Sequence, residues 1–480
     1  MAHEGVTRRH FFFGALAGAV PVAGFGSSPS LRFMGYKSPN EKLNIGTVGA
    51  GGKAASDIRG CSTENIVAMT DVDEVRAAPM FKLFDKATKY KDFRRMLDKE
   101  SNNIDAVIVT IPDFMHGTAA MWAMERGKHV YCQKPLTHTV WEARALAEGA
   151  AKYKVATQMG NQGYSNDGTR RCAEMIWAGE IGNVTEVHAW TNRPVWPQGI
   201  AALPPEAPVP ATLDWDLWLG IANARPYSPD YCPFSWRGWF DFGCGALGDM
   251  ACHILGAPNM ALMLNSPTSV ECVHQEGKNS YTYPTKSVIR FDFPARGSMP
   301  PVKVFWYSAC EKPPYRPAGI PDDEILGDLP RKPAADRPRP TPPPPQDATA
   351  KLDAKVNRLI SHGSNGSLFV GDKGFITTGT YGEGTRLVPD ERMKDYKFPP
   401  ELLTRSPGHY RDWIRACKGG DPACSNFSIS APFTEWVLLG AMSLHFDGKL
   451  EWDREKMKVT NVSEANQLLK PKFRKGWQFT

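Results

Sequence analysis

No two of the ten cysteines in this 480-residue sequence stand as a C-x-x-C pair. Such pairs mark zinc ribbons and thioredoxin-like redox sites, so neither a metal site nor a dithiol site has support. The even count would permit disulfides, but a chain this long buries enough apolar surface to fold without them. Cys244 and Cys252, close to a motif described below, read as small buried hydrophobes. There is no internal repeat, which excludes solenoids and propellers. No apolar run reaches the ~20 residues that span a bilayer, so stable membrane insertion is not expected. Charge of one sign is scarce as well: 57 Lys and Arg stand against 51 Asp and Glu. The densest basic stretch, Lys470 to Lys475, lies beside no nucleic-acid motif and reads as a solvated tail, so no nucleic-acid partner is expected.

What is present begins at the N-terminus. Thr7-Arg8-Arg9-His10-Phe11-Phe12-Phe13 precedes an apolar Gly/Ala-rich run to about Phe25. Paired arginines before a moderately apolar segment resemble a twin-arginine export signal. That resemblance implies a periplasmic or otherwise exported protein that folds in the cytoplasm first. Residues 26–41 are rich in Ser, Pro, Gly and Asn and read as a linker. The expected division is a signal and linker over 1–41, a nucleotide-binding domain over 42–160 and a substrate and oligomerisation domain over 161–480.

Short apolar runs then alternate with helical patterns. Leu43–Val48, Ile66–Thr70, Ile104–Thr110, His129–Tyr131 and Val155–Met159 read as buried strands. Lys53–Gly60, Asp73–Ala87, Thr118–Arg126 and Val140–Tyr153 read as the helices between them, with Val75, Met80, Phe81 and Phe84 on the apolar side of the second. This alternation predicts βαβ units and a parallel Rossmann sheet in an α/β chain. After about Asn161 the texture changes. Val184–Trp190, Ser269–His274, Ser287–Phe293, Val302–Ser308, Ser367–Val370 and Phe375–Thr378 predict a large, mostly antiparallel sheet in an α+β second domain. Pro313–Pro345 reads as a proline-rich surface insertion. His409–Lys418 and Pro432–Phe446 close the chain as helices.

Gly49-Ala50-Gly51-Gly52-Lys53-Ala54 follows the first strand and opens the first helix, matching G-x-G-x-x-[GA]. Glycine at 49, 51 and 52, and the small Ala54, allow a tight turn and close approach of backbone to a pyrophosphate on a helix N-terminus. Asp71 falls 22 residues after Gly49, at the end of the second strand. A carboxylate there accepts from ribose hydroxyls and repels a 2′-phosphate, so the cofactor is expected to be NAD. Lys134, in Cys132-Gln133-Lys134-Pro135, follows another strand and is a candidate for polarising a substrate oxygen; alone, such a lysine is usually a solvated loop residue. In the run Gly243 to His253, Asp249 and His253 stand four apart on one helix face. A carboxylate beside an imidazole suits a general base, although a helix cap and a core histidine would read the same way. Asn161, Gln162, Arg193, Trp196, Trp236 and Arg237, with Trp190 and Trp239, offer the flat faces, amides and cations of a sugar cleft.

The pieces IGTVGAGGKA, IDAVIVTIPDFMH, VYCQKPL and GALGDMACH together resemble the Gfo/Idh/MocA oxidoreductases, over about Lys42 to Trp477. The resemblance implies a Rossmann domain and a C-terminal α/β domain whose sheet serves the substrate site and often a subunit interface, hence a homo-oligomer. It places Lys134, Asp249 and His253 as catalytic residues, and Pro112 and His116, with Lys134, against the cofactor. Two positions depart from the pattern. The family's E-K-P is Q-K-P here, with Gln133 for the carboxylate, and the acid that often follows the histidine by three is Gly256. The expected function is NAD-dependent oxidation of a secondary hydroxyl of a sugar or glycoside, with tightly bound cofactor. Two alternatives stay open. One is an NAD-dependent glycosidase using transient C3 oxidation, although a Tyr-Pro-Thr-His run typical of those relatives is absent. The other is a non-catalytic sugar-binding protein with structural NAD.

Overall fold

The computed structural model describes residues 41–329 and 365–479. The export-signal reading and nearly all of the linker, and residues 330–345 of the proline-rich stretch, lie outside the described residues. Among the described residues no helix is long and apolar enough to cross a membrane.

β1 (Asn44–Val48), α1 (Lys53–Gly60), β2 (Asn65–Thr70), α2 (Glu74–Leu83), β3 (Thr88–Tyr90), α3 (Phe93–Lys99), β4 (Ala106–Val109), α4 (His116–Glu125), β5 (His129–Cys132), α5 (Val140–Tyr153) and β6 (Thr157–Met159) alternate along the chain. The six strands form one parallel sheet in the order β3-β2-β1-β4-β5-β6. β4 is buried at every residue, as a central parallel strand covered on both faces must be. The order reverses between β1 and β4, and a doubly wound sheet opens its ligand crevice there, beyond the C-terminal strand ends.

The second domain adds α6 (Asp167–Trp177), β7 (Val184–Trp190), α7 (Trp215–Leu219), α8 (Gly245–Ile254), α9 (Gly256–Ala261), β8 (Ser269–Glu276), β9 (Lys286–Phe293) and β10 (Val302–Ser308). It continues with β11 (Gly366–Gly371), β12 (Gly374–Thr378), β13 (Arg386–Val388), α10 (His409–Cys417), α11 (Phe427–Ser443), β14 (Lys449–Asp453) and β15 (Lys458–Val459). The nine strands run β13-β12-β11-β7-β10-β9-β8-β14-β15, and only β7 and β10 pair in parallel. One face of the sheet packs on helices: Phe291 and Phe293 meet Trp436 of α11 edge-on at 5.1 and 5.4 Å.

Several expectations need correction. α2 ends at Leu83, and Val75 is 60% exposed, because Asp73 caps the helix by accepting from the Val75 and Arg76 amides and fixes which side of the first turn faces solvent. β6 starts at Thr157, since α5 continues to Tyr153 and ends on Lys154 in the left-handed region. α11 starts at Phe427, capped by the Asn426 side chain on Ser428, and Pro432 lies inside it. The segment from Pro313 is not wholly a surface excursion, for Ile320 and Leu326 bury against Trp190, Leu368 and Val388.

Two C-terminal pieces return to the nucleotide-binding domain. Trp413, Ile414 and Cys417 of α10 cover the sheet face formed by Leu43, Ile45, Ala106, Ile108 and Tyr131. The final residues are anchored rather than solvated. Trp477 packs on Phe93 at 6.1 Å, Phe479 stacks on Trp141 at 5.3 Å, and Arg474 binds Asp216 and the Gly220 carbonyl. Aromatic residues placed between the basic ones supply an apolar body, while Lys470 rests its ammonium over Trp141.

Candidate active site

The glycine turn lies between β1 and α1 at the sheet's switch point. Gly49 and Gly52 have φ of +93° and +55°, and a Cβ on Gly49 would sit 2.1 Å from the Thr110 carbonyl oxygen. No larger residue fits this turn, α1 has no side-chain cap at its N-terminus, and Arg76 lies beside Gly52, so the residues present suit the pyrophosphate of a dinucleotide. Ala54 is buried beneath it. Asp71 is half-buried at the end of β2, where Oδ2 accepts from the Ala50 and Gly51 amides at 2.9 and 3.0 Å and Oδ1 from the Asp73 amide at 3.0 Å. Burial raises its pKa against those three donors. The carboxylate therefore braces the turn as well as facing the crevice.

The chain between β7 and α8, residues 191–242, crosses this crevice as a strap. Glu74 donates its amide to the Thr212 carbonyl at 3.1 Å, and Asp214 donates to that of Val72 at 2.9 Å. Residue 213 is thereby bridged to Asp73. The cleft, ≈ 540 Å³ and open on one side, is floored by the glycine turn, Asp71 and Pro112 and partly roofed by Leu213, Leu217, Trp218, Phe234, Trp236 and Arg237.

Lys134 and Asp249, 115 residues apart in sequence, meet in space. Lys134 donates from Nζ to Asp249 Oδ1 at 2.8 Å and to the Asp249 carbonyl at 2.7 Å. Burial alone would raise the Asp249 carboxyl, yet the charges of Lys134, Arg193 and Arg237 hold it well below the usual carboxylate range. One helical turn on, His253 is 6% exposed and packs edge-on against Tyr381 at 4.8 Å. Burial, then the Lys134 charge, push its pKa well below the ordinary value, so the imidazole is neutral. Its Nδ1 has no hydrogen-bond partner among the described residues, and Asp249 is engaged with Lys134 instead.

His116 has a different place from the expected one. Its Nδ1 and Nε2 lie 2.8 Å from the Pro135 and Ile111 carbonyl oxygens, so the ring ties the Pro112 loop to the Lys134 loop and leaves no nitrogen for a cofactor. Arg237 lies over Trp236 at 4.3 Å with Nε 3.7 Å from Asp249 Oδ1. Trp196 is buried within 5.9 Å of both Arg193 and Arg237. Trp190 and Trp239 are core residues. Asn161 is fully buried, accepts from Ser425 Oγ at 2.6 Å and leaves Nδ2 without a partner among the described residues. Gln162 lies beside Tyr410.

Two buried carboxylates beside the site have no counterpart in the sequence analysis. Asp113 accepts from the Cys244 amide at 3.1 Å, which anchors the Pro112 loop to the start of α8, and burial pushes its pKa up to about 7 beside Arg237 and Lys134. Asp57, wholly buried on α1, accepts from Thr110 Oγ1 at 3.0 Å, Gln133 Nε2 at 2.8 Å and Tyr410 Oη at 2.7 Å, and pairs with Lys53. Gln133 thus gives its amide to a carboxylate supplied by another element. The one usable signal for Asp57 was its spacing, four residues after Lys53 on the same face of α1.

The Rossmann sheet, its glycine turn at the switch point and the cleft above it define an NAD-binding domain, with a Lys–Asp pair and a neutral histidine close by. Residues 43–161 match the NAD-binding Rossmann fold of the Gfo/Idh/MocA oxidoreductase family, and residues 177–283 match that family's C-terminal alpha/beta domain. Inositol 2-dehydrogenase of Serratia proteamaculans is 30% identical over 157 residues, 32% of this chain and 46% of that one. A glycosyl hydrolase family 109 protein of Solibacter usitatus is 27% identical over 184 residues, 35% of this chain and 41% of that one. The chain spans less than half the length of these curated relatives. The WlbA dehydrogenase of Bordetella pertussis, solved with NADH and UDP-GlcNAcA, shares the fold at a TM-score of 0.56 and 13% identity, covering 86% of this chain and 99% of that one.

Proposed function

We propose that the protein is an NAD-dependent dehydrogenase acting on a secondary hydroxyl of a sugar or glycoside, with the cofactor held through turnover. The observation that carries this reading is the convergence of Lys134, Asp249 and neutral His253 beside a partly roofed dinucleotide cleft. Bound NAD supplies the hydride acceptor. His253, kept uncharged by burial, takes the hydroxyl proton. Lys134 donates to the same oxygen and stabilises the alkoxide charge as it develops. Asp249 holds the ammonium of Lys134 in place. The Rossmann turn and Asp71 bind the nucleotide, and the strap from 191 to 242 excludes water and slows its release.

The test is a single-turnover experiment following reduced-nicotinamide absorbance after mixing the NAD-loaded protein with a panel of sugars and glycosides. His253→Ala and Lys134→Met should each slow hydride transfer by about 10²-fold or more while retaining NAD. Unchanged rates in both would remove these residues from the mechanism. The match to a glycosyl hydrolase family 109 protein supports a second reading, the transient-oxidation glycosidase. It predicts aglycone release without net reduction in the same mixture.

The intact Lys134–Asp249 pair speaks against a sugar-binding protein with structural NAD. The half-buried Phe305 and Tyr307, on the face of β10 turned away from the helices, support a homo-oligomer through the large sheet, checked by the mass of the native protein in light scattering. Arg8-Arg9 support twin-arginine export. Changing both to Lys should retain the protein in the cytoplasm on cell fractionation, and normal export of that variant would dismiss the signal.

A further inference from the structure

The inner end of the site carries more positive charge than its carboxylates answer. Asp249 is met by Lys134 at 2.8 Å and by Arg237 Nε at 3.7 Å. Arg193 adds a third cation. It is 6% exposed, shares the Trp196 ring with Arg237, and has no ion-pair partner among the described residues. Of the other carboxyls nearby, Asp113 is pushed up to about 7 and so answers only part of one charge at neutral pH, while Asp328 is taken up by the Thr380 amide and hydroxyl and Glu383 accepts from the Tyr381 amide. Placing a cation inside a protein costs several kcal/mol unless an anion meets it. The pyrophosphate of a bound dinucleotide would lie at the glycine turn beside Arg76, not here. An oxidised nicotinamide would add one more positive charge to the same region.

A neutral cyclitol or hexose would leave this excess standing. A sugar with a fixed negative charge would remove it, and two guanidinium groups beside one indole are shaped for such a group. Trp196 would then offer an apolar edge to the sugar ring next to the charged end, as flat aromatic faces do.

We propose that the substrate is an anionic sugar, a uronic or aldonic acid or a sugar phosphate, whose charged group is held by Arg193 and Arg237 beside Trp196. This rests on the dehydrogenase reading for the placement of the reacting carbon, but not for binding itself. Arg193 orients the substrate through its charge, while Lys134 and His253 act on the hydroxyl.

Equilibrium binding separates the two. The NAD-loaded protein is titrated, with tryptophan fluorescence as readout, against common aldohexoses, their uronic acids and their 6-phosphates. At least one acid or phosphate should bind at least about 10-fold more tightly than its neutral counterpart. Arg193→Gln should abolish that preference, and Arg193→Lys should restore part of it. Whether the uronate or the phosphate of a pair binds more tightly identifies the anion. Equal binding of charged and neutral members, or a preference that survives Arg193→Gln, overturns the inference. Tight binding of an acid that is never oxidised would uphold the anion site and count against the dehydrogenase reading. Oxidation of neutral sugars without any anion preference would do the reverse.

Discussion

Gln133 occupies a position where the family resemblance leads one to expect a carboxylate, and the structure gives the reason it is an amide. Asp57 already supplies a buried carboxylate at 2.8 Å from the Gln133 nitrogen. A glutamate in place of Gln133 would set two buried carboxylates against each other, and one of them would have to take up a proton. Gln133→Glu should therefore lower stability by about 3–5 kcal/mol, the scale of an unmatched buried charge. Asp57→Asn combined with Gln133→Glu exchanges the amide and the acid and should recover most of the loss. Chemical denaturation of the three proteins decides it, and a Gln133→Glu variant as stable as the parent would show that Asp57 does not control this position. Lys134, Asp249 and His253 stand out in the sequence because each follows a strand end or shares a helix face. Their pairing does not. Spacing put Asp249 with His253, whereas the fold gives Asp249 to Lys134, a residue on another domain. His116 was read as a cofactor contact because the loop around it fits the family pattern, yet its ring is taken up by two carbonyls.

At the scale of elements, long apolar runs were read well and short or polar ones were not. The strands β1, β2, β4 and β5 needed only their β-branched runs and glycine punctuation. β3 is three residues, two of them exposed, and carries no period-two signal at all. α6 was missed although strongly amphipathic, because its polar first turn, Asp167 to Arg171, reads as loop. The strap is the clearest case of a structure that no local pattern announces. Its links to the nucleotide domain run through backbone amides and carbonyls at 72, 74, 212 and 214, which every residue possesses. The C-terminal tail failed for a related reason. Its lysines were weighed by charge, and the aromatic residues between them, which decide where it lies, were not.

Across the whole molecule, buried histidines set the response to acid. Burial lowers the pKa of His116, His129 and His445 to about 4 and of His409 to about 3. In the unfolded chain each returns to about 6.5. Between those values the unfolded chain binds more protons than the folded one, so stability falls as pH drops from about 6.5 towards 4. Asp113 and Glu142, both raised by burial to about 7, act in the opposite sense, because the folded protein keeps their protons longer. Four depressed histidines outweigh two raised carboxyls of similar shift. Calorimetric Tm should therefore decline steadily below about pH 6.5. A Tm that holds or rises down to pH 4 would mean that these imidazoles are reached by water.

The strap also bears on how the protein would work over many cycles. On the proposed reading, a nucleotide held beneath residues 191–242 through turnover would behave as a prosthetic group. Every sugar oxidised would then leave the protein charged with two electrons and unable to accept another until something took them away. The partner in that exchange would be a second organic molecule entering the same mouth, and the protein a shuttle that runs at no cost to the cell's pool of free dinucleotide.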